Sequence, residues 1–291
     1  MSSATVLPTR RVEAWKYSDL SAALSNVVLP TVREGVDIIE GLSGGAKSMT
    51  VPPGAQATEI DRYGDAALDA RAFSADVGQG AMLTRIVIQA RSGGVPLSTV
   101  RVRLAAGATY RQFVLAEGAR LARIETHVSV EGEGATVELN GVYMVGRGLH
   151  ADLTSTIHHA CAGGVTRQLV KGVARAGGRG VFQGRILVAP YAQKTDARQN
   201  HHALLLEDGA EVFAKPELEI HADDVQCAHG NTVGGLDAEA LFYIRQRGVP
   251  ESEARALLVE AFLGEAISDG LPEDLQREIL DRIRAWLGAT S

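Results

Sequence analysis

The chain has 291 residues, 45% of them hydrophobic and 22% charged, so it can bury a sizeable core and lies outside the compositional range of disordered proteins. A formal net charge of -6 and a pI near 5.8 provide no global positive field for nucleic-acid phosphates or anionic lipid headgroups. The expected partners therefore include no nucleic acid and no membrane.

Met1 to Tyr17 has no apolar stretch of the signal-peptide kind, and no run approaches the ~18 apolar residues of a membrane span. The two cysteines, Cys161 and Cys227, lie far apart and fit neither a disulfide framework nor a CxxC motif. A soluble protein of a reducing, cytoplasmic compartment is expected.

The first segment, Thr9 to Leu24, reads as a short helical element with Trp15, Tyr17 and Leu20 as its apolar content. Between Pro30 and Gly80 the pattern weakens to loops around short strands, marked by Gly41, Gly44, Gly45 and Pro52-Pro53-Gly54. Residues 1–80 form a mixed N-terminal segment on this reading. From about Met82 to Ile220 the chain turns to short Val, Ile and Leu runs broken by glycine: Arg85 to Gln89, Val100 to Leu104, Gln112 to Leu115, Ile124 to Val130 and Thr136 to Leu139. These are predicted strands. A Gly-Ala step recurs between them at Gly107-Ala108, Gly118-Ala119 and Gly134-Ala135, with Asp208-Gly209-Ala210 later. Small residues at recurring corners suit rungs stacked on rungs, so a parallel β-helix over residues 81–235 leads. The steps are unequally spaced, and a β-sandwich would show similar turn signals.

Residues 236–291 switch to a helical period. Asp237 is placed as an N-cap, Gly248 as a C-terminal stop and Pro250 as the opening of the next helix. There Ala254, Leu257, Leu258, Ala261 and Phe262 make one apolar stripe. A third helix starts near Pro272, with Leu275, Ile279, Ile283, Trp286 and Leu287 on one side.

All eight histidines lie between His127 and His229. Imidazole ligates zinc and iron, and a thiolate from Cys161 or Cys227 would add a soft donor. In strands, however, His158-His159 and His201-His202 point alternately in and out, so each pair supplies one outward ring. The strongest local signal is Cys227-Ala228-His229-Gly230, where thiol and imidazole share one strand face roughly 6.6 Å apart. Gly41 to Ser48 looks like a phosphate loop, but the extended, proline-blocked Met49 to Pro53 follows it in place of a helix. Asp223 and Asp224, as strand neighbours, face opposite sides and cannot form one acid/base pair. No G-x-S-x-G nucleophile motif occurs.

The run Lys215 to Gly230, then Thr232-Val233-Gly234, Asp237, Leu241-Phe242-Tyr243 and Arg245-Gln246-Arg247-Gly248, resembles the carboxy-terminal signature of the SufB/SufD family of the SUF iron–sulfur cluster assembly machinery. Val12 to Leu20 resembles the same family's opening helix, and Lys194-Thr195-Asp196 with Leu204-Leu205-Leu206 its last β turns. The SufB tail motif reads His-Glu-Ala-Thr, so His229-Gly230-Asn231-Thr232 favours the SufD type. Asn231 replaces a usual small residue, and the middle of the chain is shorter than in many relatives.

The resemblance implies a right-handed parallel β-helix flanked by N-terminal and C-terminal helical segments. It implies a scaffold without catalysis of its own, pairing with SufB through the β-helix end and docking the SufC ATPase through the C-terminal helices. By motif match His229 is the interface histidine, a candidate ligand for iron or a cluster held transiently between subunits, with Cys227 in the neighbouring thiol position. No cofactor is expected to stay tightly bound to the isolated chain. When SufB is absent the open sheet edges could pair two copies. The competing reading is a stand-alone metal-dependent β-helix enzyme that uses some of the histidines.

Overall fold

A computed structural model describes residues 5–32 and 35–289. Two all-parallel, seven-stranded sheets dominate the described chain, and successive strands alternate between them. One sheet holds β1 (Ala46–Val51), β3 (Leu68–Val77), β5 (Val95–Leu104), β7 (Ala122–Val130), β9 (His150–His159), β11 (Arg179–Val188) and β13 (Glu211–Ile220). The other holds β2 (Gln56–Tyr63), β4 (Met82–Gln89), β6 (Thr109–Ala116), β8 (Thr136–Val145), β10 (Val165–Ala174), β12 (Asp196–Leu205) and β14 (Gln226–Gly234). Two strands make one coil, and like positions stack from coil to coil, with Ser48 over Ser74 at 26 residues and Arg179 over Glu211 at 32. This is the expected parallel β-helix and not a sandwich, because every neighbour is parallel.

The corners explain the Gly-Ala steps. Gly54, Gly80, Gly107, Gly134 and Gly163 all take left-handed φ values between 63° and 71° at the same corner. Gly80, Gly107, Gly134 and Gly163 each donate an N–H to a carbonyl of the following coil, on Ala106, Glu133, Ala162 and Gln193. Only a residue without Cβ takes this conformation freely. In the next coil the same position is Lys194, at φ 61°, the one non-glycine residue of positive φ among the described residues. Gly118 and Gly209 turn the opposite corner, so the steps looked irregular because they alternate between two corners of each coil.

Strand side chains alternate between a closed lumen and the outer faces. The lumen is filled by Val51, Val77, Leu104, Val130, Val137, Ile157, Ile186 and Val188 among others. Helices α4 (Glu251–Gly264) and α5 (Glu273–Gly288) cover the outside of the β2–β14 sheet, setting Val259, Leu263, Ile279, Ile283 and Trp286 on Ile86, Ile88, Phe113, Leu115, Val142 and Met144. On the other sheet, Trp15, Leu20, Leu24, Ile39 and Leu42 cover Val95, Leu97 and Leu121.

Several expectations shift. The coils begin at Ala46, so three strands lie in the stretch read as a mixed N-terminal segment; polar outward residues and the Pro52-Pro53 corner hid their period. The Thr9 to Leu24 element resolves into a 3-10 turn at Glu13–Trp15 and a single turn α1 (Leu20–Ala23), after which α2 (Ile38–Ser43) is capped by Asp37 and closed by Gly44. The latter makes the Gly41 to Ser48 stretch a helix end feeding β1. The stripe predicted on α4 is rotated: Ala254, Val259 and Leu263 are buried, while Leu257 is 48% exposed and Ala261 is also outward. A helix lying on a sheet and against α5 buries the side that those neighbours select, and periodicity alone does not name it. The caps at Asp237 and Gly248 on α3 (Ala238–Gln246) and the α5 face stand as expected. No helix among the described residues is long and apolar enough to cross a membrane.

Candidate functional site at the open end of the β-helix

The last coil is made by β13 and β14, the edge strands of their sheets. Pro216, which has no N–H to give a ladder, is tolerated on β13 because that strand is an edge. The inward row of β14 follows from its register on β12. Cys227 stands beside Ala197, His229 beside Gln199, Asn231 beside His201 and Val233 beside Ala203, and all four β12 residues are buried. Across the opening, β13 continues the inward columns with Val212, Ala214, Pro216, Leu218 and Ile220. No inward side chain of this coil is a Lys, Arg, Asp or Glu. Ile220 and Val233 are 41% and 43% exposed, so the mouth is partly apolar and uncovered.

The opposite end is built differently. Lys47 and Glu59 form an ion pair at 2.7 Å across the first coil, and Arg85, 1% exposed, is held by Asp61 at 2.6 Å just behind it. Charge closes that end, and an inward charge is a standard protection against edge pairing.

At the open mouth His229 is exposed and Cys227 is half-buried, packed against the lumen core. Burial pushes the Cys227 thiol up, so in this chain it is the protonated donor and not a ready thiolate. One coil below, His201 is wholly buried and stacked on Phe182 at 4.8 Å. Its Nδ1 meets Asn231 Oδ1 at 2.7 Å and its Nε2 meets the Tyr143 hydroxyl at 3.0 Å. If Asn231 accepts from Nδ1–H, then Nε2 accepts from tyrosine, which makes the ring neutral; burial holds it there, with a pKa near 4. Asn231 is thus anchored from beneath.

The other histidines scatter. His159 is buried with Nε2 2.8 Å from Thr166 Oγ1, while its neighbour His158 faces out. His202 likewise faces out, to Thr232 Oγ1 at 2.7 Å, so both pairs alternate as expected. His127 and His158 line an outer groove of about 490 Å³, and His221 binds Glu219 at 3.0 Å. His150 Nε2 is 3.2 Å from the Ser18 hydroxyl, which donates at 2.5 Å to buried Asp152. Here the carboxylate takes the serine directly and is also bound by Arg123 at 2.6 Å, so this Ser, His and Asp group is a tether and not a nucleophile relay. It fastens the N-terminal segment, with Arg123 over the Trp15 ring at 4.0 Å, Tyr17 stacked on Phe213 at 5.2 Å and Lys215 on Glu13 at 2.6 Å. The segment thereby braces the outer face of the last coil. Asp223 and Asp224 are exposed in the turn before β14, not on a strand, and Asp224 pairs with Lys194. Among the described residues no three His, Cys, Asp or Glu side chains converge as a metal site. Cys161 lies in a turn, with its thiol on the Glu131 carbonyl at 3.0 Å.

The profile of the SUF system FeS cluster assembly SufBD core domain matches residues 47–262, which span the coils from β1 to α4. The chain belongs to the SufBD family. It is 37% identical over 166 residues to the iron-sulfur cluster assembly protein SufD of Escherichia coli, covering 57% of this chain and 39% of that one. A SufBD-family protein of Synechocystis is 34% identical over 197 residues, 67% of this chain and 43% of its own length. One from Mycobacterium tuberculosis is 29% identical over 293 residues, 93% of this chain and 73% of its own length. This SufBD-family chain thus spans less than half of the first two relatives. Gln199 was missed in the sequence, and His201 was read only as one of an alternating pair, because only coil register places these residues beneath His229 and Asn231.

Proposed function

We propose that this chain is a SufD-type scaffold subunit for iron–sulfur cluster assembly, and that the open end of its β-helix is where a SufB-type paralogue completes a site for nascent iron or cluster. The observation that carries this reading is the contrast between the two ends of the lumen. One is closed by ion pairs, and the other presents an uncharged, half-open coil with an imidazole and a thiol on its inward row. Removing apolar surface such as Ile220 and Val233 from water favours a second polypeptide there. Imidazole and thiol suit iron as cargo, and two donors fall short of the four that tetrahedral iron–sulfur or zinc sites use, so the remainder would come from the partner.

The helices divide between two tasks on this reading. α5 and the inner side of α4 are occupied by the β-helix. α3 buries no residue, and Phe242 and Tyr243, 62% and 58% exposed, join Leu257 as an outward apolar patch. The SufC-type ATPase is assigned to that patch. The mechanism asks little of the chain itself: a stiff stack of coils fixes the mouth, Asn231 and His201 hold β14 in place, and the partner closes the site against water.

Co-expression with SufB and SufC homologues tests this. The His229→Ala chain should enter the complex as well as the unaltered chain and lose most cluster yield, read by iron and sulfide content and visible absorption. Normal yield would remove the role given to His229. A stable stoichiometric metal on the isolated chain, with turnover of a substrate, would favour the enzyme reading instead.

A further inference from the structure

A column of amides runs up the lumen to His229. Gln168 on β10, Gln199 on β12 and His229 on β14 occupy one register row. Gln168 Nε2 donates to Ser155 Oγ at 2.9 Å, and its Oε1 accepts from Gln199 Nε2 at 3.0 Å as well as from the Ser155 hydroxyl at 3.3 Å. With Gln168 set in this way, Gln199 turns its Nε2 toward it, since the reverse would set two carbonyl oxygens together. Gln199 is 1% exposed, and its Oε1 is a buried acceptor without a partner in the described structure. The opposite wall makes room for this amide. Gly184 lies across the lumen, and a Cβ there would stand 2.3 Å from Gln199 Nε2 and 2.8 Å from Oε1.

A buried carbonyl left unmet loses the hydrogen bonds water would give it, so a donor that can reach it is favoured. The next residue up the row, about 4.8 Å along the stack, is His229. A neutral imidazole that donates one N–H to Gln199 has its other nitrogen fixed as a lone pair facing the mouth. Histidine ligands of metals are usually oriented in this way by a carbonyl or carboxylate on the far nitrogen. We infer that Gln199 is the positioning residue for His229, taking one ring N–H and so presenting the other nitrogen to the cargo. The role toward cargo rests on the proposed function, whereas the hydrogen bond does not.

The test uses the full chain labelled with 15N-histidine, at a pH where the ring is neutral. His229 is assigned by the signals lost in His229→Ala. The unaltered chain should show one dominant tautomer, with the two ring nitrogens widely separated in shift. Gln199→Leu keeps the bulk without the acceptor and should move both shifts toward a common average. Gln199→Glu keeps an acceptor oxygen at this position, so it should restore the wild-type pattern. Averaged shifts in the unaltered chain, or an unmoved pattern in a folded Gln199→Leu chain, would overturn the inference. If the leucine variant does not fold, the unaltered chain and Gln199→Glu decide. In the assembled complex Gln199→Leu should lower cluster yield about tenfold. A fixed tautomer alongside normal yield from His229→Ala would sink the cluster reading and leave the Gln199 contact standing; cluster loss in His229→Ala without a fixed tautomer would do the reverse.

Discussion

Acidification should loosen this protein well above the range where its carboxylates titrate. His159 and His201 are both 0% exposed, and burial lowers each to a pKa of about 4 in the folded chain. An unfolded histidine titrates near 6.5. The unfolded chain therefore takes up protons first as pH falls, and stability that is complete above pH 6.5 is lost progressively down to pH 4. Linkage between those two values gives about 2 kcal/mol per ring on going from pH 7.5 to 5.0, or about 4 kcal/mol for the pair. His150, half-buried and also held near 4 by burial, acts in the same direction. Glu125 does not blur the window: burial would raise it, but Arg123 and His127 hold it near 2. Urea unfolding followed by circular dichroism at both pH values, at constant salt, measures the difference. His201→Phe should be less stable at pH 7.5, because Tyr143 and Asn231 lose their partner, yet it should shed about half of the two-ring loss. A change below about 1 kcal/mol in the unaltered chain would show that these rings are not buried as neutral groups.

Other outcomes follow from single contacts. Gly172→Ala sets a Cβ 1.8 Å from Tyr143 Cζ inside the filled lumen, and should cost about 3 kcal/mol or prevent folding, as read by urea midpoint. Lys194→Gly should raise stability by about 1 kcal/mol, since left-handed strain of ~1–2 kcal/mol outweighs glycine entropy and the exposed Asp224 pair is worth little; the melting temperature reports it. Phe242→Ser with Leu257→Ser should leave the melting temperature within about 2 °C, as exposed changes do, and abolish capture of the SufC homologue in a pull-down.

Much of the architecture was legible in the sequence because it is local. Val, Ile and Leu runs fix strands, a residue without Cβ fixes the left-handed corners at Gly107 and Gly134, and Asp237 and Gly248 fix the limits of α3. The alternation of His158 with His159 and of His201 with His202 needs only the two-residue period of a strand. The Cys227 and His229 pair is likewise visible, since both share one strand face.

What faces that pair is not local. The stacking of β14 on β12, and so the choice of Ala197 and Gln199 as the residues below, depends on coil lengths that vary from 26 to 32 residues. The buried side of α4 was set by the sheet and by α5, because an amphipathic pattern gives a face without naming its neighbour. Ser18 and Trp15 reach Asp152 and Arg123 only once the chain between them has wound through the coils. Sequence by itself determined which residues turn, extend and cap, as the covalent chain imposes these one residue at a time. Only the tertiary structure decided which end of the lumen is sealed by charge and which stays open, because that depends on side chains brought together from separate turns.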